Sequence, residues 1–257
     1  MQERHSNRER YFNEQGRTTS RYYIPYIRRF MPVLPPEVLE IGCGEGGNLL
    51  PFARMGCRVT GVDMAAPRID QARAFFAERG EQGTFIAEDI FRLEELEHKF
   101  SLILIHDVIE HIGDKEGFLS GLKKFLAPGG MMFIAFPAWQ MPFGGHQQIA
   151  SSAVSRLPFI HLLPVPLYRW FLQRAGESER MVRELLEIKQ TRCPIELFRS
   201  VVRKTGYRIV NQQLYFINPH YETKFGLTPR RLTKAVAAIP YVRNFFSTSC
   251  FYMIEPV

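Results

Sequence analysis

The feature that most constrains this chain is a regular exchange between two periods over residues 37–137. EVLEI (37–41) is a short apolar run, GCGEGG (42–47) follows it, and LLPFARMG continues as a helix. CRVTGVD (57–63) is a second run, and APRIDQARAFFAERG (66–80) then places Ile69, Ala72, Phe75 and Phe76 in helical rhythm. GTFIAED (83–89), SLILIH (101–106) and MMFIAFP (131–137) are three more runs. Between the last two, KEGFLSGLKKFLAPGG (115–130) reads as a helix stopped by Pro-Gly-Gly. Apolar runs of this length are buried strands, and segments of helical spacing between them cover the faces of a sheet. The expected fold is therefore α/β, with a parallel, doubly wound sheet. The fourth run is the most uniformly apolar, so it belongs at the centre.

Outside 37–137 the pattern changes. Residues 1–36 read as an N-terminal helical segment, with a helix or two over 18–31 broken at Pro25. After Pro137 the rhythm fails. Residues 138–192 are rich in proline and aromatic side chains and end in the amphipathic helix SERMVRELLEIKQ (178–190), so they read as a helical insertion or lid. Residues 193–257 complete the core: a helix over 194–206, a strand over 207–217, a helix over 228–239 capped by Thr228 with Pro229 at its first position, and a strand over 247–257.

Composition bounds the class. With 257 residues, 46% hydrophobic and 23% charged, the chain supports a sizeable core and is not globally disordered. MQERHSNRER carries no apolar leader, and no 18-residue apolar run exists. Cys43, Cys57, Cys193 and Cys250 form no CxxC pair, so a reducing, cytoplasmic setting is expected. The net charge of +7 divides unevenly, with +4 over 1–36, −6 over 37–150 and +9 over 151–257. The basic C-terminal part is suited to an anionic partner, substrate or membrane surface, although solubilising arginines explain it equally well.

The glycine loop admits two readings. Glycines at 42, 44 and 47 satisfy G-x-G-x-x-G after a strand, and Asp63 ends the next strand 21 residues after Gly42. That combination lets the backbone approach a nucleoside and an acid take both ribose hydroxyls, so a dinucleotide and an oxidoreductase stay open. Three residues favour a single adenosine. Glu40 sits in the strand end itself, Asp89 ends the third strand where an exocyclic amine can meet it, and Met64 offers a soft apolar face to a purine.

Taken in order, VLEIGCGEGG, GVDMA, FIAEDI, LILIHDVIEHI and FLAPGGMMFIAFP resemble the motifs of class I S-adenosylmethionine-dependent methyltransferases over roughly residues 36–137. The resemblance implies a Rossmann-like, seven-stranded sheet with an antiparallel last strand. It implies S-adenosylmethionine as cofactor, with Glu40 among the residues that bind it, Gly42 and Gly44 bordering its methionine part and Asp63 on the ribose. Met64, Ile90 and Asp89 then serve the adenine, and His106 lines the methionyl end.

LILIHDVIEHI (102–112) sets Asp107, Glu110 and His111 at i, i+3 and i+4 behind the fourth strand, on the acceptor side of such a fold. Glu110 and His111 are pocket wall, proton-transfer groups, or metal ligands. D-x-x-E-H is similar to the E-x-x-E-H metal motif of quinone-biosynthesis O-methyltransferases and of small-RNA terminal-ribose methyltransferases, with the shorter Asp107 in first place. His146, on a glycine-hinged loop in FGGHQQ (143–148), is available as a fourth ligand for Mg²⁺, Mn²⁺ or Zn²⁺. Glu110, His111 and His146 are the candidate catalytic groups.

The acceptor is expected to be a small or lipid-like molecule under the insertion. Trp139, Phe143, Phe159, Tyr168, Trp170 and Phe171 suit an aromatic or lipid-like acceptor, or else fill the insertion's own core. Arg156, Arg169 and Arg174 among them suit peripheral contact with an anionic membrane. Neither a recognition helix nor an RNA-binding motif accompanies the basic region, so nucleic acid is disfavoured.

Overall fold

In the computed structural model, which describes residues 7–257, eight strands form one sheet. Residues 1–6 of the expected N-terminal segment, and of its charged opening, lie outside the described residues. The strands are β1 (Glu37–Ile41), β2 (Arg58–Asp63), β3 (Thr84–Ala87), β4 (Phe100–His106), β5 (Leu126–Phe136), β6 (Tyr207–Ile217), β7 (Arg230–Arg231) and β8 (Ser249–Pro256). Their order is β3-β2-β1-β4-β5-β8-β6-β7. β1 to β5 pair in parallel, and β8 runs antiparallel between β5 and β6. The winding reverses between β1 and β4, and a crevice outside the carboxyl ends of the strands at such a reversal is where open α/β sheets bind ligands.

Strand periodicity divides the core. Ile103 and Ile105 point to one face with Leu39, Ile134 and Phe198. Leu102 and Leu104 point to the other with Val38, Phe133 and Phe251. Helices cover both faces. The described helices are α1 (Arg8–Thr18), α2 (Ile24–Ile27), α3 (Leu50–Arg54), α4 (Ala66–Glu78), α5 (Lys115–Leu122), α6 (Val165–Arg174), α7 (Glu179–Thr191), α8 (Ile195–Lys204), α9 (His220–Phe225), α10 (Lys234–Ala237) and α11 (Val242–Phe246). α1 is capped by Asn7, whose Oδ1 accepts from the Arg10 N–H at 3.0 Å. It buries Phe12 against Phe75 and Phe76 of α4, with ring centroids 5.0 and 6.3 Å away.

Four local expectations need correction. The sheet has eight strands rather than seven. The extra one, β7, replaces the start of the helix expected over 228–239, because Arg230 and Arg231 pair with Ile217 and Tyr215 on the open edge of β6. Only α10 remains of that helix. Pro25 does not break the N-terminal helix: a π-helical turn (Thr19–Tyr23) joins α1 to α2, and Pro25 falls in the first turn of α2, where its missing N–H costs little. The helix expected over 115–130 stops at Leu122, and β5 already begins at Leu126. Leu126 faces Phe100 and Met131 faces Leu102, so Ala127–Gly130 form a bulge that helical periodicity cannot reveal.

Residues 138–192 build a small core of their own from Trp139, Tyr168, Leu172, Leu185 and Ile188. No helix among the described residues is long and apolar enough to cross a membrane.

Candidate active site

At the switch point, β1 runs into Gly42 and β2 ends at Asp63. Gly42 has φ +69°, and a Cβ there would lie 2.3 Å from Cγ2 of Val108. Only glycine allows both the left-handed backbone and that approach. The Asp63 carboxylate is fixed by two backbone donors, Gly44 N–H at 2.9 Å and Ala65 N–H at 2.8 Å. These use one lone pair on each oxygen and leave the others for a ligand. A cavity of about 220 Å³ opens here, walled by Gly42, Asp63, Met64, Asp89, Ile90 and Val108. Five cofactor residues expected from the sequence thus share one pocket. Met64, 75% exposed, stands at its mouth, and Asp89 Oδ1 accepts from the Phe91 N–H at 3.0 Å.

Glu40 and Gly44 do not wall this pocket. Glu40 is buried in β1, where Oε1 accepts from Asn48 Nδ2 at 2.7 Å and Asn48 in turn accepts from Thr19 Oγ1 at 2.8 Å. Its Oε2 has no hydrogen-bond partner. Burial pushes the Glu40 carboxyl up to about 8, against the lowering effect of the Asn48 hydrogen bond. A buried acid with an idle oxygen suits a cationic ligand group. His106, at the end of β4, meets the Tyr23 hydroxyl at 2.7 Å.

A second cavity, of about 350 Å³, is walled by Asp107, His111, Phe143, His146, Tyr11 and Tyr221, with Arg8 and Arg68 at its edge. The segment 107–111 is the partition between the two cavities: Val108 faces the first, and Asp107 and His111 face the second. Asp107 holds φ +53° and His146 φ +55°, conformations that non-glycine residues adopt rarely, Asp and His more readily than most. The glycines before His146 are packing positions rather than hinges. A Cβ at Gly145 would lie 2.2 Å from the Cβ of His161.

Glu110, His111 and His146 each place one ligand atom within 4.8 Å of the others. His146 Nε2 lies 3.8 Å from Glu110 Oε1, and the two imidazoles meet edge to face with centroids 4.9 Å apart. Glu110 is buried, and neither of its oxygens has a hydrogen-bond partner. Burial, then the neighbouring Asp107 charge, raise its carboxyl well above the usual range. Burial likewise lowers His111, and burial followed by His111 pushes His146 down to about 4. A carboxylate without donors beside two neutral imidazoles fits a divalent cation. Asp107 does not join that group; its Oδ2 lies 3.7 Å from His106 Nε2. Tyr11, Tyr23, Arg8, Arg68 and Tyr221 were not legible as site residues, because they come from α1, its π-helical turn, α4 and α9, which carry none of the ordered motifs.

The fold and this pair of cavities define a class. Residues 38–130 match the model of a methyltransferase domain, and that match together with the relatives below supports a class I S-adenosylmethionine-dependent methyltransferase. It superposes on an S-adenosylmethionine-dependent methyltransferase from Clostridium acetobutylicum with a TM-score of 0.59 at 11% identity, covering 95% of this chain and 92% of that one. With the magnesium protoporphyrin IX methyltransferase from Synechocystis, solved with S-adenosylhomocysteine bound, the TM-score is 0.55 at 14% identity over 95% of this chain and 84% of that one.

By sequence it is similar to ubiquinone biosynthesis O-methyltransferases. It is 36% identical over 183 residues to that of Brucella anthropi, and 37% identical over 183 residues to that of Sinorhizobium medicae. Each match covers 71% of this chain and 64% of the relative. A shorter match, to that of Chelativorans sp., is 39% identical over 99 residues, 38% of this chain and 39% of the relative. The chain thus spans between 39% and 64% of the length of these relatives.

Proposed function

We propose that this protein transfers a methyl group from S-adenosylmethionine to a hydroxyl of a small, lipid-like acceptor, and that Glu110, His111 and His146 hold a divalent metal beside that hydroxyl. The observation that carries the reading is the shared wall at 107–111, which sets an adenosine-sized pocket against a cavity containing an unpartnered buried carboxylate and two imidazoles. The names of the sequence relatives support oxygen as the acceptor atom. The relatives and structures described above carry methyltransferase names and lend nothing to a dinucleotide-dependent oxidoreductase or to an RNA ribose methyltransferase.

Bound S-adenosylmethionine supplies an electrophilic methyl, and a divalent cation supplies Lewis acidity that favours the alkoxide or phenolate form of the acceptor. The chain supplies the alignment. Asp63, pinned by Gly44 and Ala65, takes the ribose, and Asp89 takes the adenine amine beside Ile90 and Met64. Glu40 offers its idle oxygen to the methionyl ammonium. Such positioning accounts for up to ~7–11 kcal/mol of a barrier. His111 and His146 face the acceptor cavity with their imidazoles kept neutral by burial, so each has one ring nitrogen free to hold the cation while the other keeps its proton. Peripheral contact with an anionic membrane belongs to the same reading, since a lipid-like acceptor resides there. Four buried, unpaired cysteines support a cytoplasmic location.

The test is methyl transfer from labelled S-adenosylmethionine to fractionated lipids and phenolic metabolites, with and without a chelator. Labelled product that vanishes on chelation and returns with Mg²⁺ or Mn²⁺ supports both parts. Full activity after thorough chelation removes the metal, and absence of S-adenosylhomocysteine binding removes the whole assignment.

A further inference from the structure

We propose that a groove between α1, α3 and α9 binds a small phosphate monoester of the sugar-phosphate class. The groove lies outside both cavities of the candidate active site, and the proposal does not depend on the methyltransferase reading. Its volume, about 620 Å³, is that of a small-molecule site and exceeds either of those cavities. Three guanidinium groups line it from three elements: Arg17 from α1, Arg21 from the π-helical turn and Arg54 from the end of α3. Glu222 of α9 is the one carboxylate in the lining. Three arginines against one glutamate leave a net charge of +2. A phosphate monoester, at roughly −1.5 to −2 near neutral pH, is its complement.

The protein itself does little to neutralise these cations. The Arg17 guanidinium has no ion pair or hydrogen bond among the described residues. Arg54 reaches Glu81 through Nε at 3.5 Å, which leaves its two terminal nitrogens uncommitted. Arg21 pairs with Glu222 at 2.9 Å, and that carboxylate also accepts from the Tyr22 hydroxyl. Arg17 and Arg21 stand four residues apart across the junction of α1 with the π-helical turn, a spacing at which like charges disfavour a helix. π-helical turns are rare and frequent at functional sites. An anion held by both groups accounts for keeping such a pair around a cavity, and the planar fork of arginine matches phosphate oxygens. The rest of the lining selects the class. Ser20 Oγ donates to Gly16 O at 2.9 Å, so its lone pairs remain to accept from a sugar hydroxyl. Asn13 accepts from Arg79 at 3.4 Å and keeps its amide N–H donors, and Thr223 adds a hydroxyl. Buried Leu50 and Pro51 supply an apolar patch. No aromatic side chain lines the groove, so nothing there stacks a nucleobase, and single-stranded nucleic acid, which relies on such stacking, is disfavoured. α9 joins the groove to the acceptor cavity. Glu222 and Thr223 line the first, and His220 and Tyr221 line the second.

The experiment is titration calorimetry of the full chain with ribose 5-phosphate, glucose 6-phosphate, inorganic phosphate, neutral ribose and single-stranded oligouridylate. Expected are binding of the sugar phosphates, weaker binding of inorganic phosphate and none of ribose. The double variant Arg17→Ala, Arg54→Ala should weaken sugar-phosphate binding at least about tenfold, because hydrogen bonds to a charged group are lost at two cations. It should also flatten the salt dependence. Both side chains are exposed, so the fold is preserved, and an unchanged denaturation midpoint checks it. Arg180→Ala, which removes an exposed arginine of α7 away from the groove, should change neither quantity. Wild-type affinity in the double variant, an equal loss in Arg180→Ala, or no heat with any phosphate ligand overturns the proposal. So does oligouridylate binding without sugar-phosphate binding, which makes the groove part of an RNA surface. S-adenosylhomocysteine affinity, measured on the same samples, is a separate readout. Sugar-phosphate binding without it would leave the groove standing and refute the methyltransferase reading instead.

Discussion

Replacing Gly42 by alanine tests the geometry of the switch point directly. Two penalties follow from the structure. At φ +69° an L residue costs about 1–2 kcal/mol over glycine. The new Cβ would also lie 2.3 Å from Val108 Cγ2, and overpacking of this kind costs about 1–3 kcal/mol. The sum, about 2–5 kcal/mol, corresponds to a fall in Tm of about 2–4 °C for each kcal/mol in a chain near this size. The two parts can be separated. Val108→Ala in the Gly42→Ala background removes the overlap and leaves the backbone cost, so the double variant should recover about 1–3 kcal/mol relative to the sum of the singles. Chemical denaturation of the four species supplies the cycle. Because Val108 walls the 220 Å³ pocket, calorimetry should show weaker S-adenosylhomocysteine binding by the single Gly42→Ala variant and partial return in the double. Additive singles with no coupling would refute the close approach on which the account of this turn depends.

Asp63→Ala should weaken S-adenosylhomocysteine binding roughly ten- to a hundredfold, since hydrogen bonds to a charged group contribute about 1.5–3 kcal/mol each; titration calorimetry measures it, and unchanged affinity contradicts the ribose role. Glu40 has a folded pKa of about 8 against an ordinary 4.5, so between those values the folded chain keeps a proton that the unfolded chain has lost. Stability of the cofactor-free protein should therefore fall as pH rises through that window, by at most ~1.4 kcal/mol per unit, and level off above it. Glu40→Gln should flatten the slope, as read by denaturation at several pH values. For His146, lowered to about 4 from 6.5, the sign reverses: the unfolded chain binds the extra proton, so this group makes stability rise from pH 4 to 6.5, and NMR titration of the imidazole reports its midpoint. Mn²⁺ at about a hundred times its dissociation constant should stabilise the protein by about 2.7 kcal/mol, and Glu110→Gln should abolish that gain without lowering the stability of the metal-free chain.

The parts of this molecule legible in its sequence are those where local pattern and tertiary role coincide. β1 to β5, the Gly42 turn, Asp63 and Asp89 are written in apolar runs ended by glycine or acid, and the sheet places them where those runs imply. The grouping of Glu110, His111 and His146 was partly legible, because i, i+1 proximity is local while His146 arrives only through the fold of residues 138–146. Elements whose conformation is decided by a distant partner were not readable. β7 exists because β6 offers an open edge, and the early start of β5 reflects its pairing with Phe100. The aromatic residues of the insertion divided between both readings, since Trp139 and Tyr168 fill its core while Trp170 and Phe171 face outward. Tyr23 was invisible as a partner of His106, since 83 positions separate them and only the π-helical turn brings the hydroxyl into reach.

The five residues from Asp107 to His111 belong to two rooms at once. A ligand that braces Val108 from the nucleoside side also stiffens the backbone from which Asp107 and His111 project on the other. Coupling through a shared wall runs both ways, so filling either compartment is expected to alter affinity in its neighbour by the same factor, through masonry rather than through any moving part.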